Sequence, residues 1–145
     1  MPDFRRLAIV NRGEAAMRLI HAVRDLIRAN RWRREHGIPE TAYRRLADYD
    51  ADLTLLAKKY PKLVKPITLP YKTGEGRTVR GVEITTNPNN VNDGKPVYLQ
   101  LGAHHAREWP SAEHAMEFAY DLLENYRTDA RARRVVKNAR TIIVP

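Results

Sequence analysis

Residues 97–126 constrain this chain more than any other stretch. The run Val97-Tyr98-Leu99-Gln100-Leu101 reads as a strand, covered on both faces and central in its sheet. A polar turn follows directly, Gly102-Ala103-His104-His105-Ala106-Arg107-Glu108. Pro110 then suits the first turn of a helix whose apolar stripe is Ala112, Ala115, Met116, Ala119, Leu122, Leu123 and Tyr126. A strand, a turn and an amphipathic helix in that order imply a layered α/β arrangement. The turn places an imidazole, His105, three residues before a carboxylate, Glu108, and such a pair can reach one zinc ion from the same side. A catalytic zinc takes three protein ligands and a water, so two donors set a requirement for a third.

The chain of 145 residues is long enough for one domain with a real core, and a hydrophobic share of 43% places it among globular proteins. No cysteine is present, which excludes disulfides, thiolate metal sites and a Cys nucleophile. Lys and Arg number 26 against 17 Asp and Glu, a formal charge of +9. That excess attracts nucleic acid, anionic lipid or acidic peptides in general and selects none of them. It gathers at residues 24–34 and 127–140, where arginines spread around helices read first as solvated faces. Arg5 and Arg6 precede an apolar stretch broken by Asn11, Arg12 and Glu14, which is not the pattern of a secretory signal. No run reaches membrane-spanning length, so the expected placement is cytoplasmic.

The rest of the chain reads as follows. Residues 6–10 form a short strand, Asn11-Arg12-Gly13 a turn, and residues 14–29 a helix with Ala16, Leu19, Ile20, Val23, Leu26 and Ile27 on one stripe. A basic break follows. A second helix spans 41–60, with Leu46, Tyr49, Leu53, Leu56 and Tyr60 on one face, Thr41 as its cap and Pro61 as its stop. Strands at 63–69 and 78–85 flank a hairpin turn fixed by Glu75 and Arg77, and residues 87–94 form an Asn- and Pro-rich loop. A short helix at 129–138 leads to a last strand at 141–144. The expected fold is α/β, a layered mixed sheet with helices on its faces. Trp109 is expected in the core.

From residue 43 to 145 the chain resembles the N-terminal part of the catalytic domain of zinc carboxypeptidases. The residues that carry this are Lys59-Tyr60-Pro61, Glu75-Gly76-Arg77 and above all Gly102-Ala103-His104-His105-Ala106-Arg107-Glu108-Trp109. The family motif has one histidine fewer, and its ligand position falls on His105. The resemblance implies zinc as cofactor, His105 and Glu108 as metal ligands, Arg107 as a substrate-binding residue, and a peptide cut at its C-terminal bond. It also implies a third histidine, a glutamate base and a carboxylate-binding arginine beyond residue 145, so no catalytic residue is identified in this chain. His104, His114, His21 and His36 have no assignable place at the metal. The relatives implied by this resemblance are often secreted.

Residues 4–28 resemble a different family. Leu7-Ala8-Ile9-Val10-Asn11-Arg12-Gly13-Glu14-Ala15-Ala16-Met17-Arg18 is similar to the N-terminus of biotin carboxylase, where it implies a Rossmann-like βα unit. With one glycine in place of a Gly-x-Gly-x-x-Gly pattern, the turn is not expected to cradle a phosphate. The organisation expected is a biotin-carboxylase-like segment at 1–30, a junction at 31–42 and a truncated zinc carboxypeptidase-like domain at 43–145, together a chimera. On this reading the peptidase activity is weak or missing. The alternative is a non-catalytic basic module that binds nucleic acid or an acidic partner. A complementing fragment or a homodimer is a further expectation, the latter because an unpaired edge at Val144-Pro145 would invite a second copy.

Overall fold

The computed structural model describes residues 43–145. The expectations for residues 1–42, namely the biotin-carboxylase-like strand and helix, His21, His36 and the junction, lie outside the described residues. Those that are described begin with helix α1 (Leu46–Lys59), followed by strands β1 (Val64–Lys72), β2 (Thr78–Ile84) and β3 (Val97–Leu101). Helices α2 (Trp109–Glu124) and α3 (Ala130–Asn138) and strand β4 (Arg140–Val144) complete the set. This is the α/β class expected, a mixed sheet with helices packed on it.

The four strands run in the order β1-β2-β4-β3. β1 and β2 form an antiparallel hairpin, whose turn carries Gly76 at φ 76°, where a side chain would be strained. Arg77 closes on Glu75 at 2.7 Å across the same turn. β4 pairs antiparallel with β2 and parallel with β3. A parallel neighbour needs a crossover, and α2 with α3 supplies it between β3 and β4.

Register assigns the faces. Val64, Val82, Ile84, Thr141 and Ile143 share one side through the pairs Val64↔Ile84, Val82↔Ile143 and Ile84↔Thr141. α1 lies on that side, since Arg80 of the same face reaches Thr54 at 3.1 Å and Asp50 at 3.2 Å. α2 joins it where the Phe118 ring meets Tyr98 edge-on at 5.9 Å. The core is therefore Leu53 and Leu56 of α1, Val82, Ile84 and Ile143 of the sheet, and Ala115, Met116, Ala119, Leu122 and Leu123 of α2, all buried. Gly81 is required by close packing, because a Cβ there would stand 2.4 Å from the Ile143 carbonyl oxygen.

Several expectations need correction. β3 is not central among the described residues: it pairs only with β4, and Leu99 keeps 54% of its surface exposed, with Val97, Tyr98 and Leu101 also open. An unbroken apolar run reports burial propensity, and nothing in it encodes how many neighbours the strand has. β4, by contrast, is paired on both sides, so the last strand does not present the unpaired edge on which a homodimer was expected. α1 starts at Leu46 rather than near Thr41; its cap position is Arg45, whose N–H donates to the Asp48 carboxylate at 2.8 Å. Leu46 is exposed, while Asp52 on the same helix is fully buried.

A polar clamp holds the loop between β2 and β3. Arg140 pairs with Glu83 at 2.5 Å and Asp93 at 2.9 Å, and donates to the carbonyls of Asn90 (2.8 Å) and Pro88 (3.1 Å). Lys95 donates to Thr85 Oγ1 at 3.0 Å and to the Thr86 carbonyl at 2.8 Å. Desolvation works to raise the Asp93 pKa, but hydrogen bonds from Lys95 and Arg140 outweigh it and lower it. The clamp fixes the approach to β3 and so the strand that leads into the His105 turn.

Leu56 makes the core testable: Leu56→Ala is expected to cost about 2–5 kcal/mol by chemical denaturation. Asp129 caps α3, accepting from Arg131 N at 2.7 Å and Ala132 N at 2.8 Å. The bond from Ala132 foremost lowers its pKa. A depressed carboxylate stabilises the fold above its unfolded value of about 3.9 and loses that contribution as pH falls through the folded value. Asp129→Ala should therefore lower the Tm at pH 7, with the gap from the parent closing under acid.

Candidate metal centre

The turn between β3 and α2 is held at both ends. At its start, Gly102 N donates to the Val144 carbonyl at 2.8 Å, extending the β3–β4 ladder by one bond. A Cβ on Gly102 would lie 2.6 Å from Ala112 Cα, so only glycine lets the strand end approach the helix this closely. Ala103 follows at φ 44°, a left-handed conformation that costs a non-glycine residue about 1 kcal/mol or more. At the far end, Ser111 Oγ donates to the Glu108 carbonyl at 2.6 Å and accepts from Ala103 N at 2.7 Å. One hydroxyl thus staples the two ends of the turn together.

Within that frame His105 and Glu108 face each other. His105 Nδ1 stands 3.0 Å from Glu108 Oε1, and His105 N donates to Oε2 at 3.3 Å. Both side chains are open, 62% and 44% exposed. Two donors at zinc bond lengths of about 2.0–2.2 Å, placed tetrahedrally, sit roughly 3.3–3.6 Å apart. The observed 3.0 Å is the spacing of a direct hydrogen bond and falls short of that value, so the two side chains would part by a few tenths of an ångström to share an ion. Taking up a cation would replace this hydrogen bond, because a nitrogen donates to a metal only through a free lone pair. Glu108 is the N-cap of α2, where the helix dipole favours a carboxylate.

The other expected residues stand as follows. Arg107 is exposed on the same turn. The His104 ring meets His105 edge-on at 5.5 Å and is open to solvent. His114 is exposed on α2. Among the described residues no group of three or more His, Asp or Glu converges on one point. Trp109 is not in the core: it is 58% exposed and rests edge-on against Tyr43 at 5.6 Å. Its place as the first residue of α2 explains this, since the stripe that enters the core begins only at Ala112.

A buried polar cluster behind α2 was not anticipated. The Arg44 side chain is wholly buried and pairs with Asp52 at 2.7 Å, with Glu117 at 2.9 Å and with Glu113. Burial alone would ease loss of its proton, but the Glu113, Glu117 and Asp52 carboxylates prevail and raise its pKa. Tyr120 has its pKa raised by burial first and by the Asp52 charge second. The available signal was Glu113 and Glu117, four residues apart and so on one side of the helix, flanking the apolar stripe.

The zinc carboxypeptidase family profile (Peptidase_M14) matches residues 49–145. The chain belongs to the zinc carboxypeptidase family. An inactive metallocarboxypeptidase of Schizosaccharomyces pombe is 28% identical over 109 residues, covering 72% of this chain and 22% of that protein. Human carboxypeptidase D is 28% identical over 98 residues, covering 68% of this chain and 7% of its own length. The crystal structure of carboxypeptidase A from Helicoverpa armigera superposes with a TM-score of 0.60 at 27% identity, over 71% of this chain and 24% of that one. The chain thus spans about a quarter or less of the length of these three relatives. The family is zinc-dependent and acts on peptides. No described helix is long and apolar enough to cross a membrane.

Gly102 offers the direct test of this geometry. Gly102→Ala should push β3 from α2, cost about 1–3 kcal/mol in thermal or denaturant melts, and shift the amide resonances of His105 and Glu108.

Proposed function

We propose that residues 43–145 supply one arm of a zinc carboxypeptidase site, with His105 Nδ1 and the Glu108 carboxylate as two of its metal donors. The observation that carries this is their 3.0 Å separation on a turn stapled at both ends. The reaction proposed for the assembled site is hydrolysis of the C-terminal peptide bond of a peptide. Zinc, when bound, supplies Lewis acidity toward the scissile carbonyl and makes a water more acidic. The chain's own residues orient that chemistry: Glu108 brings negative charge, and neutral His105 gives a nitrogen lone pair. Arg107, exposed beside them, offers its guanidinium to the peptide.

Activity of this chain alone is proposed to be weak or lacking. The third donor and the base that would take a proton from water are assigned to partners of the described residues, in a complementing fragment or elsewhere in a longer chain. The relatives include one named an inactive metallocarboxypeptidase, in keeping with this reading, and one named carboxypeptidase D. The proposed organisation retains a separate segment at 1–30, similar to biotin carboxylase, joined through 31–42 as a chimera.

A second reading has one observation in its favour. Arg127, Arg131, Arg134 and Lys137 are exposed on and just before α3, a cationic surface that suits nucleic acid or an acidic partner. Binding of this kind would fall steeply with salt.

Zinc titration by calorimetry tests the first reading. Weak uptake is expected, reduced under acid as protons compete for the imidazole, and abolished in both His105→Ala and Glu108→Gln. Without metal, His105→Ala should leave the Tm within about 1 °C, since an exposed side chain contributes little. Uptake unchanged in both variants would refute the assignment.

A further inference from the structure

Arg44 stands just ahead of α1, and its guanidinium spans two helices. Nε donates to Asp52 Oδ2 of α1 at 2.7 Å, Nη2 donates to Glu117 Oε1 of α2 at 2.9 Å, and Nη1 donates to Glu113 Oε2. The Arg44 backbone N–H adds a bond to Glu113 Oε1 at 2.5 Å, and the Tyr49 hydroxyl donates to the same oxygen at 3.0 Å. Glu113 and Glu117 are one helical turn apart on one side of α2. Gripping a helix at two points one turn apart fixes both its rotation and its slide along its axis. Tyr43 adds a third contact, against Trp109 at the first position of the helix.

That helix begins one residue after Glu108. The turn carrying His105 is tethered to β4 through Gly102 and to α2 through Ser111. Moving α2 therefore moves Glu108 and, through Ser111, pulls on Ala103, while Gly102 stays bonded to β4 and the turn between them must deform. An atom about 5–6 Å from a helix axis shifts by roughly 1 Å for a rotation of about 10°. Metal donors tolerate about 0.2 Å. We infer that Arg44 is a positioning residue for the His105–Glu108 pair: by locking α2 to α1 it sets where the Glu108 carboxylate stands relative to the imidazole. This rests on the reading of the pair as a metal arm.

A residue that merely stabilises the fold would give a different pattern from one that sets this geometry. The test compares the parent chain, Arg44→Met and Val136→Ala, the last opening a core cavity away from the turn. All are held at a temperature where circular dichroism shows them folded. Zinc is titrated into each, and amide resonances of residues 103–108 are recorded without metal. Arg44→Met is expected to weaken zinc binding by about tenfold or more and to move the amide resonances, while Val136→Ala does neither. Binding and resonances unchanged in Arg44→Met would overturn the inference, as would an equal loss in Val136→Ala. Should Arg44→Met fail to fold, Glu113→Gln removes one prong of the grip and carries the same expectation at smaller amplitude. If the parent chain takes up no zinc, the metal reading fails. The positioning role is then judged on the metal-free resonances alone, and their constancy in the variants would refute it.

Discussion

β4 holds this structure together because it is bonded on both sides. Its antiparallel ladder to β2 ties the hairpin to the sheet, and its parallel ladder to β3 carries the strand that ends in the His105–Glu108 turn. The ladder continues past the strand, where the Val144 carbonyl accepts from Gly102. The position of His105 is thus set by a strand nearly forty residues downstream in sequence. Arg140 at the head of β4 adds a second constraint, since its guanidinium gathers Glu83, Asp93 and two loop carbonyls around one buried cation. Such a cation is stable only where it is paired and hydrogen-bonded, and here two carboxylates and two loop carbonyls meet its Nη1 and Nη2 groups.

Much of this was legible in the residues. The strand–turn–helix around 97–126 follows from an apolar run, a glycine and a stripe at helical spacing, and the hairpin from Gly76 with its charged flanks. His105 and Glu108 were legible because three-residue spacing across a turn brings a ring nitrogen and a carboxylate to one side. Neighbour relations were not. Nothing in Val97–Leu101 says that β4 is its only partner among the described residues, and nothing in Arg140–Val144 says that it has two. Register and order arise from long-range packing, which a local pattern does not encode.

The buried charges escaped for a related reason. Asp52 and Glu117 occupy helix positions that a hydrophobic pattern assigns by analogy with their neighbours, or passes over as solvated. Their burial depends on Arg44, which comes from a segment without periodic signal of its own. Trp109 shows the converse: expected in the core, it stands at the helix start, edge-on against Tyr43. The Ser111 staple is equally invisible in a sequence, since a serine in a first helical turn has many uses.

The open side of β3 has a practical consequence. Among the described residues no strand pairs with its outer edge, which lies beside an open row of Val97, Leu99 and Leu101, the combination that recruits a further strand. Any chain added there would run alongside the mouth of the His105 turn.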